Sequence, residues 1–368
     1  MKKVVIAPDS FKGTLSSAEV CGIVKDVLIK KHGEVEVIEI PIADGGEGMT
    51  DSCLYAFPGS EKVYMKAQSP LGREIDVYYG IISGDTAVIE MAAASGITIE
   101  ENNNAVKAST YGTGEMIKHA LDRGLRKFVI GIGGSATTDG GIGCTAALGG
   151  SFLNKEGVSV ELCGEGLADI ESIDLSGLDK RLKESEITVL CDVKNPLYGK
   201  NGAAYIFGPQ KGADPKTVEF LDAGLLNLAK RSEEYLKKDY SQCEGAGAAG
   251  GLGFALVAFL GAELRRGIDA ILDITHFEEK TEGADLVITG EGKMDEQSLM
   301  GKVPFGIASR SKGKKTIAIV GLNMADMEKV RSAGISEVIE TNPLHLPFEE
   351  IKANAKEDLM IAAEKITV

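Results

Sequence analysis

FVIGIGGSATTDGGIGC, residues 128–144, opens with the apolar run Phe128-Val129-Ile130 and then bends through Gly131, Gly133 and Gly134. Ser135, Thr137 and Thr138 add hydroxyls, Asp139 adds a carboxylate, and a helix is predicted to begin near Thr145. A strand, a glycine turn and a helix N-terminus together make an anion site. The glycines let the backbone approach closely, while free N–H groups and the helix dipole favour phosphate oxygens. Asp139 is a candidate ligand for a cation. The stretch predicts an α/β protein that handles phosphate.

The same alternation continues toward the N-terminus. Residues 4–7 form a β-type run that ends in Pro8-Asp9-Ser10-Phe11-Lys12-Gly13-Thr14. Ser16 and Glu19 stand at capping-box spacing, followed by Val20, Ile23, Val24, Val27 and Leu28 at helical spacing. Residues 35–40 read as a second strand, closing on Asp44-Gly45-Gly46-Glu47-Gly48 before a helix over 49–56. Strand, helix, strand, helix predicts a parallel sheet, whose ligand sites lie beyond the carboxyl ends of its strands.

From about residue 60 the segments 62–68, 74–82 and 86–90 alternate and are separated by turn residues, which predicts antiparallel pairing. Residues 187–191 read as a buried strand, and 216–236 as a long amphipathic helix. The α/β rhythm returns at 286–288 and runs through strands at 316–320 and 337–340 to a final helix over 348–365. The predicted organisation is one doubly wound, flavodoxin- or Rossmann-like parallel-sheet domain made from residues 1–60 and 283–368. A second, mixed-sheet α/β domain, 61–282, is inserted between them.

Composition narrows the function. The 368 residues suffice for two domains. The 46 glycines gather in motifs rather than a repeat, which excludes collagen-like and low-complexity chains. A net charge of −15 argues against a nucleic-acid binder, which needs a basic face, but leaves room for a small anion held by local lysines. No run reaches the length of a membrane span and none resembles a signal peptide. The six cysteines are scattered without a C-x-x-C pair, as in reduced thiols. The expectation is a cytoplasmic enzyme with no nucleic-acid or membrane partner. The sequence leaves oligomeric state open and admits a homo-oligomer.

Several chemistries are absent. There is no Walker-type G-x-x-x-x-G-K-[ST], no H-E-x-x-H or paired Cys/His spacing, and no G-x-S-x-G elbow. Gly131-x-Gly133-x-x-Ala136 and Gly245-x-Gly247-x-x-Gly250 resemble dinucleotide fingerprints, so an NAD(P)-dependent oxidoreductase acting on a small hydroxy acid stands as the alternative. A glycine-rich nucleotide binder without catalysis is a third reading. More telling is one loop composition repeated after predicted strands: Asp9/Lys12, Asp44/Glu47, Asp139, Asp192/Lys194 and Glu291/Lys293/Asp295. Any one of these is an ordinary turn. Together they match what phosphoryl transfer needs: carboxylates for Mg²⁺, lysines and amides for phosphate oxygens, and a carboxylate to orient or deprotonate the attacking hydroxyl.

With those residues in view, the sequence resembles the type-1 glycerate kinases of bacteria. The resemblance is carried by APDSFKGTLSS (7–17), PIADGGEG (41–48), GIGGSATTDGGIG (131–143), CDVKNPLYGKNGAA (191–204), FGPQKGA (207–213), GAGAAGGLG (245–253) and TGEGKMDEQS (289–298), in one order from end to end. It implies phosphorylation of D-glycerate to phosphoglycerate with ATP and Mg²⁺, the 2-phosphate favoured over the 3-phosphate. It also implies an active site in the cleft between two α/β domains. On this resemblance Lys12, Lys194 and Lys293 neutralise the glycerate carboxylate and the phosphates, with Asp9, Ser10, Lys12 and Glu47 on the glycerate side. Gly133, Gly134 and Ser135, with Asp139 and Lys293, are expected at the nucleotide. Asp192 is the first choice for activating the hydroxyl, with Asp44 or Asp139 as substitutes, and Glu291 and Asp295 are the Mg²⁺ candidates.

Overall fold

Val4-Val5-Ile6-Ala7 and Leu286-Val287-Ile288 are apolar on both faces, the pattern of strands covered on both sides of a parallel sheet. They pair with each other. In the computed structural model, which describes residues 1–43, 45–296, 298 and 302–368, the strand Lys2–Pro8 lies parallel to Leu286–Met294 with Val4 opposite Leu286 and Pro8 opposite Gly290. The chain forms two compact units. The first comprises Met1–Asp44, Asp51–Pro58 and Ile268–Val368, and the second Gly45–Thr50 and Gly59–Gly267.

The first unit is built on a five-stranded sheet in the order Glu337–Glu340, Thr316–Asn323, Leu286–Met294, Lys2–Pro8, Val35–Glu39, with every pairing parallel. Alternate residues face opposite ways. Val4, Ile6, Ile288, Ile317 and Ile319 pack against Val20, Val24 and Leu28 of the helix Ser17–His32 and Leu359 of Phe348–Glu364. Ala318 and Val320 face the other way, onto Phe305, Val330 and Ile335. Each of the valine, leucine, isoleucine and phenylalanine side chains, where fully withdrawn from water, contributes about 1.5–3 kcal/mol. The predicted capping box is formed: Ser16 Oγ accepts from Glu19 N at 3.2 Å while Ser16 N donates to Glu19 Oε2 at 3.0 Å.

The second unit holds a six-stranded mixed sheet in the order Glu263–Arg265, Glu186–Leu190, Lys127–Gly131, Thr86–Glu90, Glu74–Ile82, Glu61–Gln68. The first four are parallel, and the last two join antiparallel, as the alternating segments predict. The edge strand Glu263–Arg265 is missing from the sequence reading, because three residues with two charges carry no β pattern. The helix Pro215–Leu236 starts one residue earlier than predicted, with Asp214 accepting from Thr217 N at 2.7 Å as its N-cap.

Ser16→Ala removes one half of the capping box. It should lower stability by about 1 kcal/mol, read as a lower urea midpoint. An unchanged midpoint would mean that the first turn of Ser17–His32 is held by packing alone.

Candidate active site

In the first unit the strand order reverses between Lys2–Pro8 and Leu286–Met294: from the first strand the chain winds to one side, and from residue 286 onward to the other. Such a switch point leaves a crevice at the carboxyl ends of the strands. A cavity of about 460 Å³ opens there. Asp9, Ser10, Lys12, Glu291, Lys293 and Asp295, all singled out from the sequence, line it together. Lys302, which the sequence reading passed over, lines it too.

The local geometry follows from hydrogen bonds and from one close approach. Asp9 N donates to Gly290 O at 2.8 Å, and Phe11 N to Leu15 O at 2.8 Å, which folds the loop back over the strand ends. A Cβ on Gly292 would stand 3.3 Å from Phe11 Cα and 3.4 Å from Lys12 N, so the Lys12 loop lies close against the strand there. Glu291 is only 5% exposed, and its Oε1 has no hydrogen-bond partner among the described residues. Burial pushes its carboxyl up to about 7, partly offset by Ser298 and Lys302. Lys293 Nζ lies 3.6 Å from Asp295, whose backbone N–H donates to Ser298 Oγ at 3.1 Å.

In the second unit the glycine turn leaves Lys127–Gly131, and Asp192 and Lys194 leave the neighbouring parallel strand Glu186–Leu190 at the same edge. Asp192 Oδ1 accepts from Gly267 N at 2.9 Å, and Asp192 is exposed. Lys194 makes an exposed ion pair with Glu244 at 3.1 Å, a weak restraint that a ligand can displace. Gly133 N donates to Gly45 O at 3.2 Å, so the Gly45-Gly46 segment rests on the turn. Gly134 is exposed and Ser135 is nearly buried. Glu47 is exposed. Asp44 lies outside the described residues.

Asp139 does not line the switch-point cavity. It is fully buried, and its two oxygens accept from Thr110 N, Thr110 Oγ1, Gly141 N and Gly143 N at 2.8, 2.7, 3.1 and 3.3 Å. It ties the turn to the start of the helix Tyr111–Asp122. Beside it lies Lys211, missed by the sequence reading although it belongs to the FGPQKGA motif. Pro209-Gln210-Lys211-Gly212 looks like a surface turn, and nothing local signals burial. Lys211 is 1% exposed, and its Nζ donates to Thr137 O at 2.5 Å and Ser135 Oγ at 3.4 Å. Burial pulls its ammonium down to about 7, against the opposing attraction of Asp139.

The other glycine motif is filled by the protein itself. A Cβ on Gly247 would lie 2.2 Å from Pro196 O, and one on Gly250, whose φ is +66°, 1.9 Å from Thr137 O. These glycines admit neighbouring backbone rather than a pyrophosphate.

A doubly wound α/β unit with carboxylates and lysines converging at its switch point, and a hydroxyl-rich turn on a second α/β unit, define a kinase, a phosphotransferase with an alcohol acceptor. The chain belongs to the glycerate kinase family, whose family model matches residues 4–368. It is 43% identical to a glycerate kinase of Bacillus cereus over 99% of this chain and 97% of that one. It is 44% identical to a glycerate 2-kinase of Escherichia coli K12 over 91% of this chain and 89% of that one. A crystal structure described as a candidate glycerate kinase 2 from Salmonella typhimurium LT2 superposes with a TM-score of 0.89 at 41% identity, covering 99% of this chain and 96% of the other. This membership overturns the oxidoreductase alternative, in keeping with the backbone-filled glycines. No described helix is long and apolar enough to cross a membrane.

Lys211 gives a pH signature. An unfolded lysine holds its proton to about pH 10.4, whereas the folded one releases it near 7. Between those values the unfolded chain binds more protons, so this residue makes stability rise with pH. Relative to Lys211→Met, the unfolding free energy of the unmodified protein should climb as pH rises from 7 toward 10. Parallel curves would mean that the ammonium stays charged inside the fold.

Proposed function

We propose that this protein phosphorylates D-glycerate at its 2-hydroxyl, with ATP as donor and Mg²⁺ as the assisting ion. The observation that carries the reading is the cavity at the switch point, lined by Lys12, Lys293 and Lys302 together with Asp9, Glu291, Asp295 and Asp358. Three cations among four carboxylates, Asp358 being the fourth, suit a polyphosphate and its metal. The likeness to the E. coli glycerate 2-kinase supports the acceptor and the 2-position.

The residues present fit Mg²⁺. Glu291 carries a buried carboxylate oxygen with no partner among the described residues, and Asp295 lines the same cavity. Among the described residues no group of three or more His, Cys, Asp or Glu gathers into a protein-only metal cage. That suits an ion whose remaining positions go to phosphate oxygens and water. Glu291 and Asp295 would hold the ion, which when bound neutralises charge on the phosphates.

The chain's own groups do the rest. Lys12, Lys293 and Lys302 neutralise phosphate oxygens, and Lys194 exchanges Glu244 for a substrate oxygen. Gly134 and Ser135 present the glycine turn to an anionic group, with Lys211 and Asp139 holding the turn's shape from beneath. Asp192, with one oxygen fixed by Gly267 N–H, accepts the proton of the attacking hydroxyl as its oxygen bonds to the γ-phosphorus and the bond to ADP breaks.

A coupled assay should show ADP release that depends on D-glycerate and stops when EDTA is added. Phosphorus NMR should identify the product as the 2-phosphate; a 3-phosphate product would overturn the regiochemistry. Asp192→Asn should lower kcat by roughly 10²–10⁴-fold while the glycerate KM stays nearly unchanged. Normal turnover in that variant would remove Asp192 from the role.

A further inference from the structure

We propose that the cavity of the first unit seats the purine nucleotide, with the base against the apolar wall formed by Leu322, Leu346, Phe348 and Ile351. The inference rests on the phosphotransfer reading above and assigns one of its two substrates to this cavity. It also moves Asp9 and Lys12 from glycerate, where the sequence placed them, to the nucleotide.

Size is the first argument. A volume of about 460 Å³ falls within the roughly 300–1,000 Å³ of sites that enclose drug-sized ligands. Glycerate is a three-carbon acid, polar at every carbon, and would leave most of that space to water. The lining is the second argument. The lysines and carboxylates share the lining with Leu322, Leu346, Phe348, Ile351 and Ala355, the last three on the same helix as the carboxylate Asp358. A small hydroxy acid has no apolar face to set against such a wall. A nucleotide has both halves: a flat base for the apolar side chains, and phosphates for Lys12, Lys293 and Lys302.

The wall is preformed. Asn342 braces it with a reciprocal pair, Leu346 N donating to Asn342 Oδ1 at 2.9 Å and Asn342 Nδ2 donating to Leu346 O at 3.1 Å. The Phe348 ring lies on Gly13, where a Cβ would stand 2.8 Å from the ring's Cζ. Phe348 is nonetheless 48% exposed and Leu346 40% exposed. Large apolar side chains held open to solvent beside a charged cavity mark a binding surface. The position agrees as well, since nucleotides in doubly wound sheets bind at the switch point.

The test uses the full chain and mant-ADP, whose fluorescence reports binding without turnover. Base stacking on an aromatic ring predicts a Kd for mant-ADP raised roughly tenfold in Phe348→Ala. Phe348→Tyr should restore binding, and the D-glycerate KM should stay within about twofold. Adenosine should displace mant-ADP from the unmodified protein, and D-glycerate should not. An unchanged mant-ADP affinity in Phe348→Ala, or displacement by D-glycerate, overturns the proposal. The two readings fail separately. Nucleotide binding that depends on Phe348, without phosphorylation of D-glycerate, keeps this seat and removes the acceptor. D-glycerate phosphorylation with nucleotide affinity indifferent to Phe348 does the reverse.

Discussion

The strand Lys2–Pro8 finds its neighbour in Leu286–Met294, and the chemistry of the first unit depends on that pairing. Thr289 Oγ1 donates to Ala7 O at 3.0 Å across 282 residues of chain. The parallel direction matters as much as the contact. Only when both strands run the same way do Asp9, Ser10 and Lys12, which follow the first, emerge beside Glu291, Lys293 and Asp295, which end the other. Parallel pairing also obliges both faces to be covered, which is why these strands read as unbroken apolar runs. Closing so long a loop costs entropy, though the cost grows only slowly with length. The isoleucines and valines of the two strands, all fully buried, offset it.

Charge is used sparingly inside the protein, and the three most deeply buried instances among the described residues differ in kind. Asp139 is fully satisfied by four donors and acts as a fixed anchor for the glycine turn. Lys211 holds the carbonyl of Thr137 from below, and burial brings its proton affinity down to the neutral range. Glu291 retains a buried oxygen with no partner among the described residues. Leaving such an oxygen unpaired costs free energy, which a bound cation would recover. The satisfied carboxylate stiffens a turn and the other does not, although the two look alike in sequence.

The local elements were legible from residue order. The capping box at Ser16 and Glu19, the alternating hairpin segments and the apolar parallel strands depend on neighbours within a few positions. The edge strand Glu263–Arg265 was not, since its place is set by pairing with Thr188–Leu190 rather than by its own composition. Of the candidate site residues, Asp9, Ser10, Lys12, Glu291, Lys293 and Asp295 of the first unit do converge on one cavity. Asp139 turned inward, because the tightness of its glycine turn brings Thr110 and two backbone amides onto its oxygens. Lys211 could not be found from its own motif, because burial is decided by what packs over a residue.

The sequence by itself determined the α/β class, the mixed second sheet, the family and the inventory of carboxylates, lysines and glycine turns. These follow from periodicity and from short motifs, which are properties of neighbouring residues. Only the tertiary structure decided which of those groups face a cavity, which are consumed by internal hydrogen bonds, and that apolar side chains from residues 322–355 line the same cavity as the lysines. Those outcomes arise from contacts between segments far apart in the chain, and no local pattern encodes them.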